Sequence, residues 1–176
     1  MSWRGRLCRG GASRLLSDPG SEESGVELVV ILDAAQEDVL QEATEALRRA
    51  HLKHYEALGP EGTRNRFRDL FTLVLECVTQ RTLVPISQYA QQVAEQRFAA
   101  GFDIAEVLTA FNVLEEAIWH VVIARLATQD LLESAGLIGT VLGAGKDALA
   151  STWVSLATRQ HVTSLDLSAL FHGAGN

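Results

Sequence analysis

Only three prolines occur in 176 residues, and two of them, Pro60 and Pro85, fall where an apolar helical period begins. Proline costs a helix little at its first position, because that N–H has no intrahelical partner. Between such marks apolar residues recur at steps of three and four, and the alternation of a half-buried strand is absent from the body of the chain. The sequence therefore predicts an all-α protein, an antiparallel bundle of about five helices, with a globin-like arrangement as one form it can take.

Punctuation sets the expected boundaries. A first helix is expected from about Glu27 to Leu58, with Ser24 and Glu27 spaced as a capping box and Gly59-Pro60 as the stop. Leu32, Val39, Ala43, Ala46, Ala50 and Ala57 would face inward, and the stretch from Asp33 to Asp38 is a place for a break. A second helix runs from Pro60 to about Thr82 with Phe67, Leu70, Phe71, Val74, Cys77 and Val78 inward. A third opens at Pro85 and carries Ile86, Tyr89, Ala90, Val93 and Ala100. Gly101 stops it, and Asp103 with Glu106 repeats the capping-box spacing ahead of a fourth helix to about Ala127. A fifth begins near Asp130 and reaches about Val162. Short linkers imply that neighbours in sequence pack antiparallel.

A chain of this size buries about 70% of its unfolded surface, so a core forms without staples. Hydrophobic residues make up 47% of it, as in a globular protein. The net charge of −7 argues against nucleic acid, which requires a basic face. Cys8 and Cys77 are too few for a disulfide scaffold and lack metal-ligand spacing, which suits reduced thiols in a cytoplasm. Glu115 and Glu116 interrupt the best apolar run, "AFNVLEEAIWHVVIARLA", so no membrane span of about 18 residues is expected.

Residues 1–24 differ in composition: Arg4, Arg6, Arg9 and Arg14 precede any acid, among Gly, Ser and Pro. They read as a disordered basic tail, although a transit peptide shares this composition. Residues 25–163 then form the helical domain and 164–176 a flexible tail.

The stretch "GTVLGAGKDA", Gly139 to Ala148, looks at first like a phosphate-binding loop. The required G-x-x-x-x-G-K-[ST] fails: Thr140 stands where the first glycine belongs, and Asp147 where the hydroxyl belongs. A continuous helix fits better, because Leu131, Ala135, Ile138, Leu142, Gly145, Leu149, Trp153 and Leu156 step by three and four. Each glycine inside that helix costs about 1 kcal/mol relative to alanine. Gly136, Gly139 and Gly143 form a second stripe, which permits close backbone approach, either inside the bundle or to a second subunit. The expected use is a homodimer contact.

His51, His54 and His120 do not make the paired Glu-x-x-His motifs of a di-metal bundle. A hydrogen-bonded core histidine is the commoner role for His54. Arg81, Arg97 and Glu115 lie on otherwise apolar faces, and each needs a partner or must reach solvent. Counting back from Gly101 in an antiparallel pair places Glu115 level with Tyr89. Tyr89, Arg97, Glu115 and His54 are therefore the candidate lining of a buried polar or ligand cavity. No catalytic, cofactor-binding or metal constellation emerges.

The run "PISQYAQQVAEQRFAAGFDIAEVLTAFNVLEEAIWHVV" resembles the RsbRD-type N-terminal domain, found in relatives of stressosome sensor proteins. The resemblance rests on an alanine-rich helix, Arg97, Gly101-Phe102, and a capped helix with Leu108 and Leu114. With "HYEALGPEGTRNRFRDLFTLVLECV" it covers roughly residues 40–160. It implies an all-helical input domain, related in style to non-haem globin-like sensors, that regulates through protein contacts. The leading expectation is a non-enzymatic, cytoplasmic bacterial signalling domain with a regulatory protein partner. The alternative is a bundle binding a small molecule or a haem-type cofactor through His54 or His120.

Overall fold

The computed structural model describes residues 19–163, with side-chain environments from 25 to 159. The flexible tail expected at 164–176 and most of the tail expected at 1–24 lie outside the described residues. Among the described residues six helices run in chain order: α1 Pro19–Ala34, α2 Gln36–Arg49, α3 Lys53–Gln80, α4 Val84–Ala99, α5 Ile104–Arg125 and α6 Thr128–Thr163. No strand occurs among them, so the all-α bundle is what forms.

The expected first helix is divided into three parts. It starts ahead of Glu27, at Pro19, where proline again takes a helix's first position, so Ser24 and Glu27 lie within α1 rather than at its start. It breaks at Ala35, whose φ of −104° and ψ of 7° leave the helical region, inside the stretch marked for a break. It breaks again at His51, which adopts a left-handed φ of 50°, with an extended Leu52 next to it. Histidine is among the residues that tolerate this conformation best. The second break re-aims the start of α3: Leu40, Ala43 and Leu47 ahead of it are buried, whereas Ala50 and Ala57 are exposed rather than inward. Gly59, with φ 77° and ψ 168°, then leaves the helical region just ahead of Pro60, so the expected stop stands as a kink that separates two helical segments of α3.

The remaining helices begin and end close to their expected places, and most of their inward positions fill the core, whereas Ala100, expected inward, is exposed just past the end of α4. Phe71, Ile86, Leu114, Ile118, Ile138, Leu142 and Leu149 are fully buried. α6 packs chiefly on α4, and α5 packs chiefly on α2. α4 and α5, adjacent in sequence, hardly touch, which departs from a bundle in which every neighbour pairs. An edge-to-face contact between Phe98 and Trp153, ring centres 5.4 Å apart, ties α4 to α6.

α5 meets the length and composition of a membrane-crossing helix, with a mean hydropathy of 1.5 over its most apolar window, despite Glu115 and Glu116. Nearly half of that window, 44%, is buried against the other helices, so this apolarity belongs to a core helix.

Candidate ligand pocket at the α4–α5 corner

The corner between α4 and α5 is built by backbone chemistry. Ala100 closes α4 and Gly101 takes φ 77°, the left-handed position that glycine occupies without a Cβ penalty. Gly101 N–H donates to the Phe98 carbonyl at 3.1 Å and Phe102 N–H to the Arg97 carbonyl at 3.0 Å. That pair of bonds is the Schellman closure of a helix end. Asp103 then caps α5, accepting from Ala105 N–H at 2.8 Å. The expected reciprocal arm from Glu106 is absent, because its carboxylate bonds His54 Nδ1 instead, at 2.8 Å.

This corner places the Phe102 ring at the centre of a cluster. His54 stacks on it with centroids 4.2 Å apart. Tyr55 meets it edge-on at 5.9 Å. The Arg97 guanidinium carbon lies 4.7 Å from its centroid. Arg97 is only 9% exposed, and its Nε is enclosed without a hydrogen-bond partner. A ring quadrupole attracts the cation but does not satisfy its N–H groups.

Beside this cluster lies a cavity of about 30 Å³, lined by Tyr55, Arg66, Tyr89 and Arg97 over an apolar floor that includes Phe67 and Phe111. No carboxylate lines it. Burial pushes both phenols up to about 12; Arg66 opposes the rise in each, while Glu106 adds to it at Tyr55 and Asp69 at Tyr89. Both are thus neutral O–H donors across ordinary pH.

Of the four residues expected to share a cavity, the structure brings Tyr89 and Arg97 together. His54 sits next to them, joined through Phe102 and Glu106. Glu115 does not join them. Its Oε2 accepts from Lys146 Nζ at 2.5 Å, and Lys146 also reaches Asn112 Oδ1 at 3.2 Å. The Tyr89–Glu115 pairing requires α4 and α5 to lie side by side; α6 packs on α4 instead and supplies the lysine. Arg81 is exposed at the left-handed C-terminus of α3. Tyr55 and Arg66 do not stand out in the sequence, where both are ordinary members of a charged helix face.

The glycine-rich stretch is continuous helix within α6. Gly145 faces the core, where a Cβ would come within 3.0 Å of Ile86 Cγ1 and 3.1 Å of Phe111 Cε1. A Cβ at Gly136, Gly139 or Gly143 would meet nothing within 4 Å, so that stripe is no tight contact inside the bundle. Open apolar grooves flank it, lined by Val26, Val29 and Val30 of α1, by Val78 of α3 and by Leu137 and Val141 of α6. His120 bonds Glu42 at the surface of α5 and α2. Among the described residues no three histidine, cysteine or carboxylate side chains gather as a metal site.

Fold and pocket define a class: an all-helical domain with a small donor-lined cavity at one corner and a side-chain-free stripe along its longest helix. The chain belongs to the family described as the RsbT co-antagonist protein rsbRD N-terminal domain, whose model matches residues 33–164. Comparison with curated proteins finds no match. The family is one of bacterial stress-signalling regulatory domains.

Proposed function

We propose that the chain acts as a non-enzymatic, cytoplasmic input domain that works through protein contacts, first with a second copy of itself. The family match is the single observation that carries the regulatory reading. Support for a contact surface comes from the outward stripe of Gly136, Gly139 and Gly143 together with exposed apolar side chains nearby, Val26, Val30 and Leu132. Water-exposed apolar area of this kind, next to backbone that another chain can approach closely, favours association. A two-fold contact along the stripe would bring residue 139 of each copy near the axis. Its regulatory partner is a further protein that reads the dimer. Gly139→Cys in a Cys8→Ser background tests the placement. Mild oxidation should yield a covalent dimer, whereas Glu116→Cys, at an exposed position of α5, should not. Equal cross-linking at both positions would refute the proposed face.

A further inference from the structure

The Arg97 pocket has two cationic and two phenolic groups in its lining and no anionic one. Two arginines, Arg66 and Arg97, and two tyrosines, Tyr55 and Tyr89, line one small cavity that no carboxylate lines. Among the described residues no hydrogen bond or ion pair engages either guanidinium, and Arg97 Nε is enclosed and unpartnered. Thr63, also in the lining, spends its hydroxyl on the Gly59 carbonyl at 2.9 Å. Arginine keeps its charge in proteins, and an enclosed cation such as Arg97 is unfavourable without a counter-charge. Of the two carboxylates whose charges act on these phenols, Glu106 is committed to His54 and Asp69 is exposed.

We propose that this cavity is a binding site for a carboxylate-sized oxyanion, gripped by Arg97 and Arg66 and oriented by the Tyr55 and Tyr89 hydroxyls. Size and charge select the ligand class. About 10–15 Å³ of such volume holds one water-sized group. The cavity of about 30 Å³ therefore matches a group of carboxylate size better than a larger, tetrahedral sulfate or phosphate. Arginine's planar fork matches a carboxylate edge, and the phenols add donors that remain protonated at neutral pH. The Phe102 ring holds the Arg97 guanidinium in place beforehand, so little side-chain freedom is lost on binding. The ligand is either a free small anion or the carboxylate head of a longer molecule whose chain leaves through the pocket mouth. The site stands independently of the dimer, since it is formed within one copy.

The sequence provides its own probe, for Tyr55 and Tyr89 are the only tyrosines. Full-length protein with ring-labelled tyrosine should show two ring signals by NMR, and sodium formate should move both along one saturable curve. Sodium sulfate at matched ionic strength should move neither. Arg97→Gln should weaken formate binding by about tenfold or more, as expected for loss of a charged hydrogen bond. Tyr89→Phe should weaken it by about fivefold with an unchanged denaturation midpoint, a separation that a purely structural tyrosine would not give. Should Arg97→Gln fail to fold, Arg97→Lys keeps the charge, loses the fork and carries the same test. Octanoate binding more tightly than formate would identify a longer carboxylic ligand; formate binding as tightly or more tightly would identify a free small anion. Signals that formate and octanoate leave unmoved, or an Arg97→Gln variant that binds as wild type does, would overturn the site.

Discussion

Arg97 and Phe102 are joined twice, once through backbone and once through side chains. Phe102 N–H donates to the Arg97 carbonyl at 3.0 Å, and the Arg97 guanidinium carbon lies 4.7 Å from the Phe102 ring centre. The Schellman closure usually brings an apolar side chain back against the last helical turn. Here it brings an aromatic ring back to an enclosed cation, so one turn both ends α4 and positions a wall of the pocket.

That double link makes Phe102 a stability determinant of the corner. Phe102→Leu keeps apolar bulk but removes the His54 stack, the Tyr55 edge contact and the ring under Arg97. It should destabilise the domain by about 1–2 kcal/mol, read as a lower urea midpoint with an unchanged slope. A midpoint equal to wild type would mean that the ring contributes packing alone.

Glycines in this chain should respond to alanine with opposite signs. Gly101→Ala forces a Cβ into a φ of 77° and should cost about 1–2 kcal/mol. Gly136→Ala, in open space on α6, should stabilise the domain by about 1 kcal/mol when measured dilute enough to keep it monomeric. Gly145→Ala gains the same propensity but meets Ile86 and Phe111 at close range, so it should show no such gain. Thermal melts of the three variants decide this, and equal effects would contradict the geometry.

Much of the architecture is legible in the sequence because helix starts and stops are local. Pro85, Gly101 and Asp103 specify their positions by backbone chemistry within a few residues. Which helices meet is not local. Nothing in residues 84–125 says that α4 prefers α6 to its neighbour α5, and for that reason sequence spacing pairs Glu115 with Tyr89 rather than with Lys146. Tyr89 and Arg97 are readable as polar groups on an apolar face. Tyr55 and Arg66 are not, because the His51 corner and the Gly59 kink re-aim the helix that carries them.

The Lys146–Glu115 pair gives a lysine of the glycine-rich stretch a structural role. Both side chains are about three-quarters buried and their charged atoms are 2.5 Å apart. Lys146→Ala should destabilise by about 1 kcal/mol, above the typical exposed pair, because it strands a largely buried carboxylate. A double-mutant cycle with Glu115→Gln should return a non-zero coupling, and additive effects would show the pair to be solvated.

Alkaline pH should unfold the domain through its tyrosines. Their folded pKa values, raised by burial to about 12, exceed the unfolded value near 10. The folded state therefore holds these protons more tightly. Stability from the two phenols is complete below about pH 10 and is lost as pH rises toward about 12. Ultraviolet titration should show both phenols ionising late in the folded protein and near 10 in denaturant. Ionisation near 10 without unfolding would contradict their burial.

The proposal that this regulatory domain works through contact with a second copy is tested most directly by light scattering on the full chain at tens of micromolar. Wild type should scatter as a dimer. Gly139→Leu should scatter as a monomer with unchanged helix content, because leucine is the better helix former and its Cβ meets no atom of its own bundle within 4 Å. A monomeric wild type, or a Gly139→Leu variant that remains dimeric, would contradict the account.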